Sequence, residues 1–459
     1  MENKEYLKII GARIKSELND LKRTPESAAE ELKINPDKIN AIINGNANIE
    51  DTYMLIGKMG NFYPIDSTDL YLLKDDCVNG IKIMRADESK NSSRIFNRKD
   101  KTGSKTPYYK YRDTAMSKLS PFKPEWIKEL RVVNDSNPEN PDIAYNNGHF
   151  LHQTTFFIGP VNFYWEINGK KYSSEMNTGD SNYITPFHAH SFASRNSSKD
   201  ALIIAVTFGG DARRAQKELY ILGKERIEKS TVDYRNHNEA ISQLIQQHMK
   251  NERMSFSNLE DLLEGKGLSL STKIEALFDD KYSIPVNDMK IIANALNIEL
   301  SDLTIPEYKP EEEVVVKHKN ESKEYIYPNK FNPIYKINPL VRTSKMPLMK
   351  GFDIEALSKR PDMEYPSEIL LHSYVYNYGE ESAQFNWEID NKRYIEIIYP
   401  GDSMYIQPLI KHMFSNTSEK NAKLLVIGVS GAINLTVQKE LSYFPDIRRV
   451  AHETKQWFE

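Results

Sequence analysis

Cysteine is almost missing. Cys77 stands alone among 459 residues, which excludes an internal disulfide framework and a metal site built from cysteine clusters, and fits a reducing compartment. No run of about 18 apolar residues occurs, so a membrane-spanning helix is not expected. The opening Met1-Glu2-Asn3-Lys4-Glu5 lacks the apolar stretch of a secretory signal. An excess of one charge is missing too. With 61 basic and 65 acidic residues the net charge is −4, which argues against a surface shaped for nucleic acid. The expectation is a soluble cytoplasmic protein. Its length suggests about three domains.

What the sequence does have is a second copy of itself. Trp165-Glu166-Ile167 recurs as Trp387-Glu388-Ile389, and Gly179-Asp180-Ser181 as Gly401-Asp402-Ser403. Pro186 and His190 recur as Pro408 and His412, and Gln216-Lys217-Glu218-Leu219 as Gln438-Lys439-Glu440-Leu441, all at one offset. Around His149 and Gln153 the copies diverge. Residues kept in both copies are candidates for architecture, and residues present in one are candidates for chemistry.

Each copy begins with a helical module. Ile10, Ile14 and Leu18 lie at helical spacing, and Thr24-Pro25 and Asn35-Pro36 start further helices. Asn44-Gly45-Asn46 ends the last of these. Leu259–Leu263 and Lys273-Ile274 parallel Ala28–Leu32 and Lys38-Ile39 in the second copy, and Ser301-Asp302-Leu303 closes it as Asp69-Leu70 closes the first. Strand-rich modules follow. Phe163–Ile167 with the Asn168-Gly169 turn reads as a hairpin, and Tyr183-Ile184-Thr185 and Leu202–Phe208 as strands, fitting a small antiparallel barrel or jelly roll. The expected domains are residues 1–72 and 236–306 (helical), and 73–235 and 307–459 (strand-rich). The fold class is α+β, a tandem repeat of helix-turn-helix-like module plus β barrel.

In the first strand-rich module Gly148-His149 is followed by Gln153, and the Gly179 turn leads to Pro186 and His190. Residues four apart on a strand share a face, so His149 and Gln153 can both look inward. His152 and His188 are rival ligands, ranked second because His152 matches His372 in the other copy. That copy keeps His412 but, after a two-residue insertion, has Ile369 opposite His149 and Ser373 opposite Gln153. It is expected to hold no metal.

Both strand-rich modules resemble the cupin family, in which a Gly-His motif with an acidic residue four positions on meets a later Gly, Pro and His. A helical module followed by a cupin, with Asn146-Asn147-Gly148-His149, resembles the phosphonate-processing non-haem iron oxygenases, among them fosfomycin epoxidase and hydroxyethylphosphonate dioxygenase. The doubled arrangement resembles the latter over almost the whole chain. The resemblance implies Fe(II) on a facial triad of His149, Gln153 and His190, with open positions for substrate and dioxygen. It also implies that Lys22 (in Asp20-Leu21-Lys22-Arg23), Arg98, Tyr109, Tyr111 and Asn146 hold the phosphonate, a role that suits cationic side chains. Arg94 and Arg112 remain alternatives to Arg98. The dioxygenase takes a carboxylate six residues before the last His, where this chain has Ile184, and the epoxidase places Glu where this chain has Gln153. Gln153 with Ile184 resembles the branch that converts 2-hydroxyethylphosphonate and dioxygen to methylphosphonate and carbon dioxide. The runner-up products are hydroxymethylphosphonate and formate. A helix-turn-helix regulator is the non-enzyme alternative, but Asp37, Lys38, Asn40 and Asn44 make a poor base-reading helix. A homo-oligomer is compatible with the sequence.

Overall fold

The structure, a computed structural model, describes residues 3–268, 283–360 and 365–450. The Lys273-Ile274 parallel lies outside the described residues.

Helix Asn3–Asp20 buries Ile10, Ile14 and Leu18. The Thr24 hydroxyl accepts from the Ser27 amide at the start of Pro25–Leu32, and the Asn35 side chain accepts from the Asp37 amide ahead of Pro36–Ile43. Proline in the first turn loses no helical hydrogen bond, because that amide has no partner in a helix anyway. Asn48 caps Ile49–Phe62 in the same way, and the four helices close on Ile10, Ile39, Leu55, Ile56 and Met59.

Gly210–Val314 forms a compact unit by itself. Helices His237–Asn251, Phe256–Leu263 and Val286–Ala295 surround Ile241, Ile245, Leu259, Ile292 and Leu303. The unit begins ahead of the boundary expected at 236 and takes in the helix Gln216–Lys229. The repeated Gln-Lys-Glu-Leu is helical in both copies, the second being Leu435–Leu441.

The rest is antiparallel sheet. Each copy has one seven-stranded and one three-stranded sheet, so the fold mixes helices with antiparallel sheets. The first copy's large sheet runs Val314–Lys317, Ser181–Ile184, His152–Ile158, Leu202–Phe208, Phe122–Glu129, Lys105–Asp113, Arg94–Lys99, and its small sheet Lys170–Met176, Val161–Ile167, His190–Ser194. The hairpin turn at Asn168-Gly169 has φ of 51° and 78°, the left-handed pair such a two-residue turn requires. In the second copy the large sheet runs Ile81–Met84, Ser403–Ile406, His372–Asn377, Lys423–Val429, Met349–Ala356, Pro333–Pro339, Tyr325–Pro328.

The copies exchange their first strands. Ile81–Met84 precedes the first copy yet pairs with Ser403–Ile406 of the second, while Val314–Lys317 precedes the second and borders Ser181–Ile184 of the first. The repeated Gly-Asp-Ser is the clasp for this exchange. Asp180 accepts from the Lys319 amide (2.8 Å) and lies 3.1 Å from His318 Nδ1. Asp402 accepts from the Ala86 amide (2.9 Å) and from Arg85 (2.7 Å). Ser181 Oγ accepts from Val341 N and Ser403 Oγ from Ala115 N. The outer faces of the two large sheets pack together through Phe156, Tyr183 and Phe208 on one side and Tyr374, Tyr405 and Ile427 on the other.

The clasp makes a prediction. Asp402 is buried, whereas Arg85 is partly exposed, so solvent screens much of their charge attraction. The Asp402→Ala cost comes mainly from leaving the Ala86 and Tyr399 amides without their acceptor, about 2–3 kcal/mol in urea unfolding. Glu396→Ala, which removes only the exposed end of the Arg85 network, is expected to cost under about 1 kcal/mol. Equal small losses would deny the clasp any stabilising role. Among the described residues no helix is long and apolar enough to cross a membrane.

Candidate active site

The inner face of the second copy is filled. Val375, Phe385, Trp387, Ile398, Met404 and Phe414 form one core across its two sheets. In the first copy the same space is a cavity of about 290 Å³. The sequence-expected residues Arg98, Tyr109, Tyr111, Asn146, His149, Gln153 and His190 all line it, together with Lys123, Glu125, Ala205 and Thr207. Lys22 is not among the lining residues, and its Nζ donates to the Asn19 carbonyl at 3.4 Å.

Three donors converge. His149 Nε2 lies 3.2 Å from Gln153 Oε1, and the His149 and His190 rings stand 5.3 Å apart, edge to face. Each ring is oriented by its other nitrogen, since His149 Nδ1 is 3.0 Å from Leu151 O and His190 Nδ1 is 2.9 Å from His188 O. This turns both Nε2 atoms inward, the arrangement metal-binding histidines use. Two donors each about 2.1 Å from one ion and at right angles lie about 3 Å apart, close to the His149–Gln153 spacing. Burial pushes the His190 imidazole down to about 4, so at neutral pH, with Nδ1 bonded to the His188 carbonyl, Nε2 is an acceptor. Asn146 ties the loop together: Oδ1 accepts from the His190 and Gly148 amides, and Nδ2 sits 3.0 Å from His190 Nε2. Gly148 has φ +70°, and a Cβ there would lie 2.5 Å from the Phe187 backbone, so only glycine fits beside His149.

The second copy shows which of these features are architecture. The Phe187 amide donates to His149 O as the Leu409 amide donates to Ile369 O, placing Ile369 at the position of His149. Gln153 pairs with Ile184 as Ser373 pairs with Ile406. Tyr109 accepts from the Phe192 amide at 3.1 Å as Tyr335 accepts from the Phe414 amide at 2.7 Å, so Tyr109 belongs to the shared framework. Tyr111 does not: its place is taken by Ile337, each being paired with an isoleucine, Ile127 or Ile354. His152 Nδ1 bonds the Tyr183 hydroxyl at 2.8 Å, and His372 Nδ1 the Tyr405 hydroxyl at 2.6 Å. Both sit on the outer face, which removes His152 from the converging set. His188 is not on the cavity wall either.

These outer histidines set a pH dependence. Burial lowers both His152 and His372 to about 4, below the usual value near 6.5. Between about pH 6.5 and 4 the unfolded chain therefore binds more protons than the folded one. Stability is full above that window and falls as the pH drops through it. Replacing both with Gln is expected to reduce the slope of urea midpoint against pH across that range, the remainder coming from buried His190 and His412, and an unchanged slope would refute the assignment.

The wall that carries Arg98 has its own chemistry. Arg98 Nε is buried without a hydrogen-bond partner among the described residues, a charged donor left without an acceptor. Burial raises Tyr111, with nearby Glu125 adding to the effect. Glu129, on the strand next to Tyr109, is buried with neither oxygen hydrogen-bonded among the described residues, and burial pushes it well above the carboxylate range. Sequence reasoning missed Lys123, Glu125, Ala205 and Thr207. Period-two alternation on Phe122–Glu129 could have put Lys123 and Glu125 on one face, but the offset between copies shifts there and hid their counterparts.

No family model matches the chain. Over 451 residues it is 41% identical to methylphosphonate synthase of Nitrosopumilus maritimus (strain SCM1), covering 96% of this chain and 94% of that protein. It is similar to the Streptomyces albus 2-hydroxyethylphosphonate dioxygenase solved with 2-hydroxyethylphosphonate and Fe(II), at a TM-score of 0.89 and 31% identity over 98% and 99% of the two chains. A second 2-hydroxyethylphosphonate dioxygenase structure, that of a single-substitution variant, shares the fold at a TM-score of 0.73 and 15% identity, over 95% and 97%.

Proposed function

Because the chain belongs to the methylphosphonate synthase family, we propose that it is a non-haem iron(II) oxygenase that cleaves 2-hydroxyethylphosphonate with dioxygen to methylphosphonate, carbon dioxide and water. The observation that carries this reading is the convergence of His149, Gln153 and His190 in a cavity whose other wall holds Arg98 with an orphaned donor. The strand-rich modules read as cupin barrels at 73–235 and 307–459, the second without metal, each after a helical module.

The donor set suits iron(II): two imidazoles and an amide oxygen would hold the ion without a carboxylate. Bound there, iron(II) would supply a centre able to take up dioxygen and the substrate hydroxyl together. The chain's residues do the rest. Arg98, Tyr109, Tyr111 and Asn146 bind the phosphonate from the wall and Lys22 from the helical module. Charge-assisted bonds to three phosphonate oxygens fix the molecule's orientation as well as its affinity. Ile184, apolar and buried beside Gln153, keeps a fourth protein donor away. The substrate gives up the four electrons that dioxygen accepts, so no external reductant is consumed.

The test is anaerobic iron loading, addition of 2-hydroxyethylphosphonate and air, and phosphorus NMR. Methylphosphonate is the expected product. Hydroxymethylphosphonate would move the chain to dioxygenase chemistry, and unchanged substrate on iron-loaded protein would refute both.

A further inference from the structure

Two lining residues of the cavity, Glu125 and Ala205, stand in one cross-strand row with Thr155 on three neighbouring strands. The same row in the second copy is Phe352, Val426 and Val375, and all three pack into its core. The first copy thus has an acid and a methyl group where the second has a phenyl ring and an isopropyl group. The next row is Lys123, Thr207 and Gln153, so the acid's row adjoins the row of the proposed metal donor. At its far end Thr155 Oγ1 already accepts from Gln153 Nε2 at 2.9 Å. Strands lie about 4.8 Å apart, and only the Ala205 methyl separates Glu125 from Thr155, which leaves a glutamate side chain room to extend toward Gln153. Burial raises this carboxyl above its ordinary value, against the pull of Arg94 and Lys123, and the reaction described above assigns it no task.

We propose that Glu125 is a further substrate-positioning residue: its carboxyl accepts a hydrogen bond from the substrate's hydroxyl group and repels molecules that carry a second anionic group there. This rests on reading the site as one for a hydroxyalkylphosphonate. Arg98 and Lys123 alone would favour anions at either end of a ligand. One acid between them makes the cavity unsymmetrical, a repulsive element of the kind that specificity needs. Ala205 supplies the space.

The experiment is isothermal calorimetry on the iron-loaded protein under argon, with 2-hydroxyethylphosphonate and with phosphonoacetate, which has a carboxylate in place of the hydroxymethyl group. The wild type is expected to bind the hydroxyl compound about a hundredfold or more tighter. Glu125→Gln is expected to weaken it about tenfold while strengthening phosphonoacetate, so that the ratio falls at least about tenfold. Glu125→Asp keeps the charge but shortens the reach. It should still reject phosphonoacetate yet lose about the same tenfold for the hydroxyl compound, and it decides the matter if the glutamine variant does not fold. A ratio unchanged in Glu125→Gln, or full affinity in Glu125→Asp, overturns the proposal. A wild type that binds no 2-hydroxyethylphosphonate overturns the reading of the site itself.

Discussion

Gln153→Ala is expected to lower iron(II) affinity by about a hundredfold or more and to abolish turnover, while the unfolding midpoint stays close to the wild type. The two effects separate because of where the side chain sits. Gln153 is held between strands Leu202–Phe208 and Ser181–Ile184 by backbone pairing that the substitution leaves alone. Among the described residues its amide hydrogen-bonds His149 and Thr155, and the side chain lines the cavity. Truncation therefore enlarges a space that already exists, and the cavity penalty of a core deletion does not apply in full. What is lost is the single oxygen donor among the three converging groups. Two imidazoles alone bind iron(II) far more weakly, and the Thr155 hydroxyl is too short to take over. Competition with a chelator under argon reads the affinity, and thermal unfolding reads the fold. Full iron binding with full activity would remove Gln153 from the ligand set, and lost iron with a collapsed midpoint would make its role structural.

Much of this was legible in the residues, for identifiable reasons. The caps Thr24 and Asn35, the Asn168-Gly169 turn and the strand Leu202–Phe208 are local signals, and local signals survive folding. The fixed offset between the copies placed the Gly-Asp-Ser turns. What it could not show is that each turn is clasped by a segment preceding the other copy, because strand exchange is a matter of topology with no local signature. Tyr109 illustrates the limit at the site. Resemblance gave it to the phosphonate, and the hydrogen bond from the Phe192 amide, matched between Tyr335 and the Phe414 amide, adds a framework role that comparing aligned letters did not reveal. Glu125 is the opposite case. Its counterpart Phe352 became visible only through cross-strand register, since an acid opposite a phenylalanine looks like unrelated sequence.

The duplicated histidine gives the sharpest test of the asymmetry. His149→Ala is expected to abolish iron binding at a stability cost of about 1 kcal/mol or less, whereas His412→Ala is expected to leave iron content unchanged and cost about 2–4 kcal/mol. His149 borders the cavity and is half-exposed, so its ring has little packing to lose. His412 is buried, packs against Phe385 and Phe414, and bonds the Ile410 carbonyl through Nδ1 at 2.7 Å. Removing it leaves a void in a filled core and an unpaired carbonyl. His190→Ala should combine the two effects, since its ring packs on Phe192 as His412 packs on Phe414 and also lines Gln153's cavity. Metal analysis after anaerobic loading and urea unfolding on the same preparations read both axes. Iron at half the wild-type content in His412→Ala would mean that the second copy holds metal after all, and the one-site reading would fail. Unchanged iron in His149→Ala would show that the residue present in only one copy is not what gives that copy its chemistry.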